Sequence, residues 1–270
     1  RHRHAVFAKD RVNIAVVLLP RMSNFTDFNQ LVAEPDVVVR YAAVPADLDG
    51  ADVIVIPGSK NTIDDLAYIR QSGMAESIDC HASDGAEVVG ICGGYQMLGR
   101  SIADPDGVEA GGEVEGFGLL AVTTRLATIK TTQWVEGEAL AIDPQRGLPI
   151  RGYWIHMGQT TPCGARCCFH VRPISGEAGP SGVEKNEEFD GAVNETGLIW
   201  GTYLHGVFDL PEFRRAWINR IRARKALPPL ADAVSQSISQ SLGSQLDAWA
   251  DHLQLHLKGM PLIQAVSTRL

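Results

Sequence analysis

The residues with the clearest chemical potential surround Cys92. Val88, Val89, Gly90 and Ile91 form an apolar run that passes into Cys92, Gly93 and Gly94, followed by Tyr95 and Gln96. A strand that enters Gly-x-Cys-x-Gly and leaves as a helix is the cysteine form of a nucleophile elbow. The chemistry requires the glycines. A nucleophile on so tight a turn sits at a strained backbone angle, and its neighbours must leave room. The N-terminus of the helix stabilises a thiolate. The amide of Gly93 would face the oxyanion formed when that thiolate attacks a carbonyl. On its own, the segment also fits a buried cysteine in an ordinary strand-to-helix turn.

A cysteine nucleophile needs a base within hydrogen-bond reach, usually a histidine. Gly201-Thr202-Tyr203-Leu204-His205-Gly206 ends an apolar run on His205, where a sheet delivers catalytic groups. A strand-end histidine satisfied by backbone is the alternative, weakened by the elbow upstream. A third segment, Pro57-Gly58-Ser59-Lys60-Asn61-Thr62, follows another apolar run. Gly58 lets backbone amides approach a ligand closely. Beside the elbow, this loop could supply a second oxyanion donor; it also fits a simple turn.

The elements that must position these groups read as an α/β sheet. Residues 12–19 are a near-continuous apolar run rich in β-branched residues, the mark of a parallel strand buried on both faces. Further strands are expected over 37–44, 52–56, 87–91 and 198–204. Helices are expected over 28–33, 63–70 (capped by Asn61 or Thr62), 74–83, 94–99 and 211–226. Strands alternating with helices at short spacing signal a mainly parallel sheet. After Gly99 the texture changes. Residues 104–118 read as loop, 117–170 as short antiparallel strands separated by turns, and 175–188 as a mobile polar loop. Apolar spacings of three and four over 233–257 define an amphipathic helix, broken near Gly243.

The chain has 270 residues, 45% hydrophobic and 21% charged, with a formal net charge of −8. That length allows a sizeable core, and the negative charge argues against a nucleic-acid partner. No apolar run approaches the roughly 18 residues of a membrane helix. Without an export signal, five irregularly spaced cysteines suggest free thiols in the cytoplasm. Cys163, Cys167, Cys168 and His170 do not follow a standard zinc spacing, so no metal site is expected. The start at Arg1 suggests a piece of a longer polypeptide, with 1–11 a linker remnant and 227–270 a helical extension.

Taken in order, several segments resemble the class I, or triad, glutamine amidotransferases. More finely, they resemble the glutaminase half of the cobyric acid synthase family. They are Leu19-Pro20-Arg21-Met22-Ser23-Asn24-Phe25-Thr26-Asp27-Phe28, Pro57 to Ile63, Gly90 to Gly99, Ile155-His156-Met157-Gly158 and Gly201 to Gly206. The resemblance covers about residues 12 to 225 and implies a flavodoxin-like mixed sheet with added antiparallel strands, placed here as a domain over 12–226. It implies that Cys92 attacks the side-chain amide of glutamine and that His205 passes a proton to the departing ammonia. It implies that Gln96 and Tyr95 hold the substrate, and that amides of Gly93 and of Gly58 or Ser59 form the oxyanion hole.

Two departures from the wider family matter. Most class I members carry His-x-Glu, whereas His205 is followed by Gly206 and Val207. Asp27 is the candidate orienter in place of that Glu; it could instead cap the helix near Phe28. No Gly-x-x-x-x-Gly-Lys-Ser/Thr phosphate loop exists. The resemblance therefore implies no cofactor in this chain. It puts ATP, magnesium and the corrin substrate with an N-terminal synthetase domain, in the same or a separate chain. Competing expectations are a glutaminase subunit for a cell-wall precursor ligase and a cysteine hydrolase of similar fold.

Overall fold

A computed structural model describes residues 5–142, 146–174 and 188–230. The helix expected over 233–257 and all but the last residue of the loop expected over 175–188 lie outside the described residues.

The apolar runs build the first sheet. Strands β1 (Val12–Val17), β3 (Val53–Ile56) and β4 (Glu87–Ile91) are buried at every residue, as central parallel strands must be. With β2 (Val37–Ala42), β12 (Ile199–Thr202) and the antiparallel edge strand β11 (Ala192–Val193), the order is β11-β12-β4-β3-β1-β2. The order reverses beside β1 and β3. In such sheets ligands bind outside the carboxyl ends of the strands, at the switch point. Those ends deliver the segments carrying Asp27 (after β1), Gly58 (after β3) and Cys92 (after β4).

The helices are α1 (Asn29–Ala33), α2 (Thr62–Gln71), α3 (Met74–Ser83), α4 (Gly93–Leu98) and α5 (Pro211–Arg224), with a 3₁₀ turn over Phe25–Phe28. Asn61 is the cap of α2, accepting from the Asp64 amide at 2.9 Å. Among the described residues no helix is long and apolar enough to cross a membrane. Residues 5–8 of the expected linker remnant lie against the domain: Arg40 Nε donates to the Ala5 carbonyl, and its guanidinium sits 3.9 Å from the Phe7 ring centre.

The second sheet departs from expectation. It holds β5 (Ser101–Asp104), β6 (Gly112–Glu115), β7 (Val122–Ala139), β8 (Pro149–Pro162), β9 (Phe169–Pro173), β10 (Glu188–Asp190) and β13 (Leu204–His205). In place of many short strands over 117–170 there are two long ones. The polar breaks in the apolar runs are period-two alternation, not turns: Val122, Thr124 and Leu126 face inward, as do Ile150, Gly152 and Trp154. Within the expected loop 104–118, β6 pairs back onto β5. The Asp104 carboxylate closes their connection by accepting from the amides of Val108, Glu109 and Gly111.

The expected strand 198–204 is two strands. Tyr203 is the break: β12 runs parallel to β4 in the first sheet, and β13 runs antiparallel to β8 in the second. Buried Asp190 makes the break tolerable. It accepts from the Thr202 hydroxyl and from the Tyr203 amide, and Leu204 N donates to Thr202 Oγ1 at 2.9 Å. Backbone groups that leave one ladder thus find side-chain partners before joining the next.

Helix α5 is tied to the opposite end of the sheet by buried charge. Glu87, fully enclosed, accepts from the indoles of Trp200 and Trp217, each at 2.7 Å, and from Arg220 and Arg224. Arg214 pairs with Glu34 at 2.7 Å and Arg215 with Asp36 at 3.0 Å. Removing one partner from such a buried set leaves uncompensated charge. Glu87→Ala should therefore lower the unfolding free energy by about 3–5 kcal/mol, measured by urea denaturation.

Candidate active site

Cys92 sits between β4 and α4 at φ 52° and ψ −108°, a conformation that L residues adopt only when the surroundings impose it. Its neighbours show what imposes it. A Cβ on Gly94 would land on the Ile56 carbonyl, and one on Gly90 would lie 2.6 Å from the Tyr95 amide nitrogen. Only glycines let the elbow close against β3. The Cys92 sulfur lies 3.7 Å from the Ile155 carbonyl on β8.

Gly58 stands between the two candidate reacting groups. A Cβ there would be 3.3 Å from His205 Cε1 and 3.7 Å from Cys92 Cβ. The loop after β1 is laced to the Pro57 loop: Ser23 N donates to the Gly58 carbonyl at 2.9 Å and Lys60 N to the Arg21 carbonyl at 3.0 Å. Ser59 Oγ donates to buried Asp65 at 2.6 Å. The Ser59 amide nitrogen lies 3.0 Å from where a Gly93 Cβ would stand. Among the described residues neither the Ser59 nor the Gly93 amide donates to a protein acceptor. Two unspent donors thus lie in the adjoining Gly93 and Ser59 segments.

His205 is fully buried. Its Nδ1 is 2.7 Å from Asp27 Oδ2, while Asp27 Oδ1 accepts from the Gly206 amide at 3.1 Å. Both oxygens are directed at the His205 segment, and the carboxylate caps no helix; the N-terminus of α1 has no side-chain cap. Burial alone would discharge the imidazole. Hydrogen bonds with Asp27 and Cys92, and their negative charge, outweigh it and hold the pKa up at about 10. His156 shows the opposite balance. Burial drives its pKa down to about 4, against the pull of its 2.8 Å contact with the Gly158 carbonyl, and the charge of His205 adds to the fall.

Gln96 is buried and clamped. Its Oε1 accepts from Thr62 Oγ1 at 3.0 Å, and its Nε2 donates to Tyr203 Oη at 3.1 Å. A Cβ on Gly158 would collide with the Gln96 amide, so the Ile155–Gly158 segment approaches it directly. The Tyr95 ring, by contrast, packs edge-on to Tyr203 and fills the space above Gly201. It lies in the packing beneath the elbow, and burial with nearby Asp190 raises its pKa.

Several neighbours were given no role from the sequence. Asn24 occupies left-handed space at φ 51°, and its amide nitrogen lies within 3.0 Å of both imidazole nitrogens. Tyr153 stacks on His205 with ring centres 5.3 Å apart, and Tyr203 stacks on His156 at 3.9 Å. Asp209 is raised to about 7, by burial first and then by the charge of Asp27. A non-glycine residue at positive φ is invisible in sequence, and ring stacking depends on strand register. Elsewhere, Cys168 is buried against the Gly201 carbonyl while Cys163 is exposed beyond β8, and all five cysteines are free thiols. Among the described residues no group of three His, Cys, Asp or Glu is placed to hold a metal ion.

Comparison with known proteins agrees with this geometry. The family described as the CobB/CobQ-like glutamine amidotransferase domain matches residues 13–213. Cobyric acid synthase of Citrobacter koseri is 46% identical over 255 residues, covering 92% of this chain and 48% of that protein. Its counterpart in Salmonella typhimurium is 43% identical over 254 residues, covering 91% and 47%. The chain therefore spans about half the length of the curated relatives it matches. The solved structure of PurLQS from Thermotoga maritima is similar with a TM-score of 0.53 at 20% identity, over 78% of this chain and 92% of that one. A solved glutamine amidotransferase gives 0.50 at 11% identity, over 78% and 98%. At these identities the likeness is one of fold, and it agrees with the α/β architecture. The family match over residues 13–213 decides the rest: this chain belongs to the CobB/CobQ-like glutamine amidotransferase domains.

Proposed function

We propose that the chain is the glutaminase half of a cobyric acid synthase, releasing ammonia from glutamine for an ATP-dependent half that amidates corrin carboxylates in cobalamin biosynthesis. The observation that carries the glutaminase chemistry is the strained Cys92 elbow beside a His205 held by Asp27. The corrin assignment draws its support from the cobyric acid synthases that match nearly the whole chain. No observation favours a cell-wall ligase partner or a general cysteine hydrolase.

The proposed steps use this chain's own groups. Asp27 accepts a hydrogen bond from the Nδ1–H of His205, leaving Nε2 toward the sulfur. The Cys92 thiolate, beside a protonated His205, attacks the side-chain carbonyl carbon of glutamine. The resulting oxyanion is met by the amides of Gly93 and of Ser59 or Gly58. His205 gives its proton to the departing nitrogen, and ammonia leaves behind a glutamyl thioester. His205 then takes a proton from water, whose oxygen attacks the thioester and releases glutamate and Cys92. Gln96, fixed by Thr62 and Tyr203, shapes the pocket for the substrate, with Tyr95 supporting from beneath. ATP and magnesium belong to the synthetase half.

The deciding assay is ammonia release from glutamine by the purified chain, with and without a supplied synthetase domain. Cys92→Ser should lower the rate roughly 10³-fold or more with the fold intact, because a hydroxyl is a far weaker nucleophile than a thiolate. His205→Ala should cost roughly 10²–10⁴-fold, and Asp27→Asn should also slow hydrolysis, with losses that do not add in the double variant. Asp27→Asn should further lower the His205 pKa from about 10 toward its ordinary value, read by NMR titration of the imidazole. The sign also sets stability. A raised folded-state pKa stabilises fully below the ordinary value of 6.5 and is lost as pH climbs through about 10. The stability gap between wild type and Asp27→Asn should therefore shrink across that window. Calorimetry should show no tight ATP–magnesium binding to this chain alone, which has no phosphate loop.

A further inference from the structure

The imidazole of His205 is held on more than its edge. Strands β7, β8 and β13 lie side by side, and in their register Trp134 is directly opposite Tyr153, and Tyr153 directly opposite His205. Residues so paired across a sheet have their side chains in contact. Here the three rings follow one another, with centres 5.3 Å apart at both steps. The Tyr153 and His205 planes are only 23° apart, so the phenol ring covers a face of the imidazole. Strand β13 contains two residues, and it reaches β8 only because Gly152 leaves room; a Cβ there would strike the His205 carbonyl. Burial and the charge of Asp27 push the phenol up to about 12, so it stays neutral at ordinary pH.

We propose that Tyr153 is a positioning residue for the His205–Asp27 pair: its ring sets the plane in which the imidazole meets Asp27. Trp134 backs the ring from the solvent side, 44% exposed. An imidazole free to rotate about its side-chain bonds would lose alignment with Asp27 and with the sulfur together. The stack removes that freedom. This proposal rests on reading Cys92 and His205 as the reacting pair.

Two variants test it. Tyr153→Thr keeps a β-branched residue at a half-exposed strand position. It should lower kcat for glutamine hydrolysis about 10–100-fold with KM within about 3-fold, as misplacing a reacting group by about 1 Å costs roughly 10²-fold. Tyr153→Phe keeps the ring and should hold kcat within about 5-fold of wild type. NMR titration of the His205 ring over about pH 6 to 11 reads positioning without turnover. Its midpoint should fall in Tyr153→Thr and hold in Tyr153→Phe. A wild-type chain with no glutaminase activity would count against the proposed function while leaving this titration to decide the role of Tyr153. A folded Tyr153→Thr with wild-type kcat and an unmoved His205 midpoint overturns the proposal. Should that variant fail to fold, a Tyr153→Phe whose His205 midpoint falls to the ordinary value although the ring is kept overturns it instead.

Discussion

The amide of Cys92 donates to the carbonyl of Thr202 at 2.8 Å. That bond ends the parallel pairing of β4 with β12, and the site is built outward from it. On one side the chain turns through the strained elbow into α4. On the other it breaks at Tyr203 and crosses to the second sheet, where His205 lies three residues beyond Thr202. Cys92 and His205 are neighbours because two adjacent strands end at the same level. Were β12 to continue straight, His205 would stay in the first sheet, away from Tyr153 and Asp27.

The break has an electrostatic cost, and Asp190 offsets it. Its carboxylate lies in a fully buried position, where desolvation raises its pKa to about 6 against hydrogen bonds from Thr202 and neighbouring amides. Asp27 and Asp65 play comparable parts in the two loops above, each a buried acceptor where a loop would otherwise leave donors unmet. The opposite end of the sheet uses the same device through Glu87 with two indoles and two guanidiniums. Buried carboxylates thus hold this domain wherever the chain leaves regular pairing, and one of them holds the imidazole.

The aromatic layer distinguishes the second sheet from a simple decoration. Tyr153 and Tyr203 flank the site from β8 and from the β12–β13 break, the first against His205 and the second against His156 and Gln96. Both phenols are kept neutral by burial, so they add packing and hydrogen bonds without adding charge beside Asp27. The long strands β7 and β8 are what carry these rings into place.

The sequence alone determined what short-range sterics control. The elbow at Cys92, the Gly58 loop and the parallel core strands are legible because glycine spacing and β-branched runs state their backbone requirements locally. His205 and Gln96 follow from the same segments. The sequence left Asp27 between two roles, split no strand at Tyr203, and read the alternating residues of β7 and β8 as turns. Tertiary structure decided these. The contact between His205 and Asp27 joins residues 178 apart, and that between the Tyr153 and His205 rings depends on which strands pair and in what register. Sheet order and register are set by the packing of the whole domain, and no window of neighbouring residues contains them.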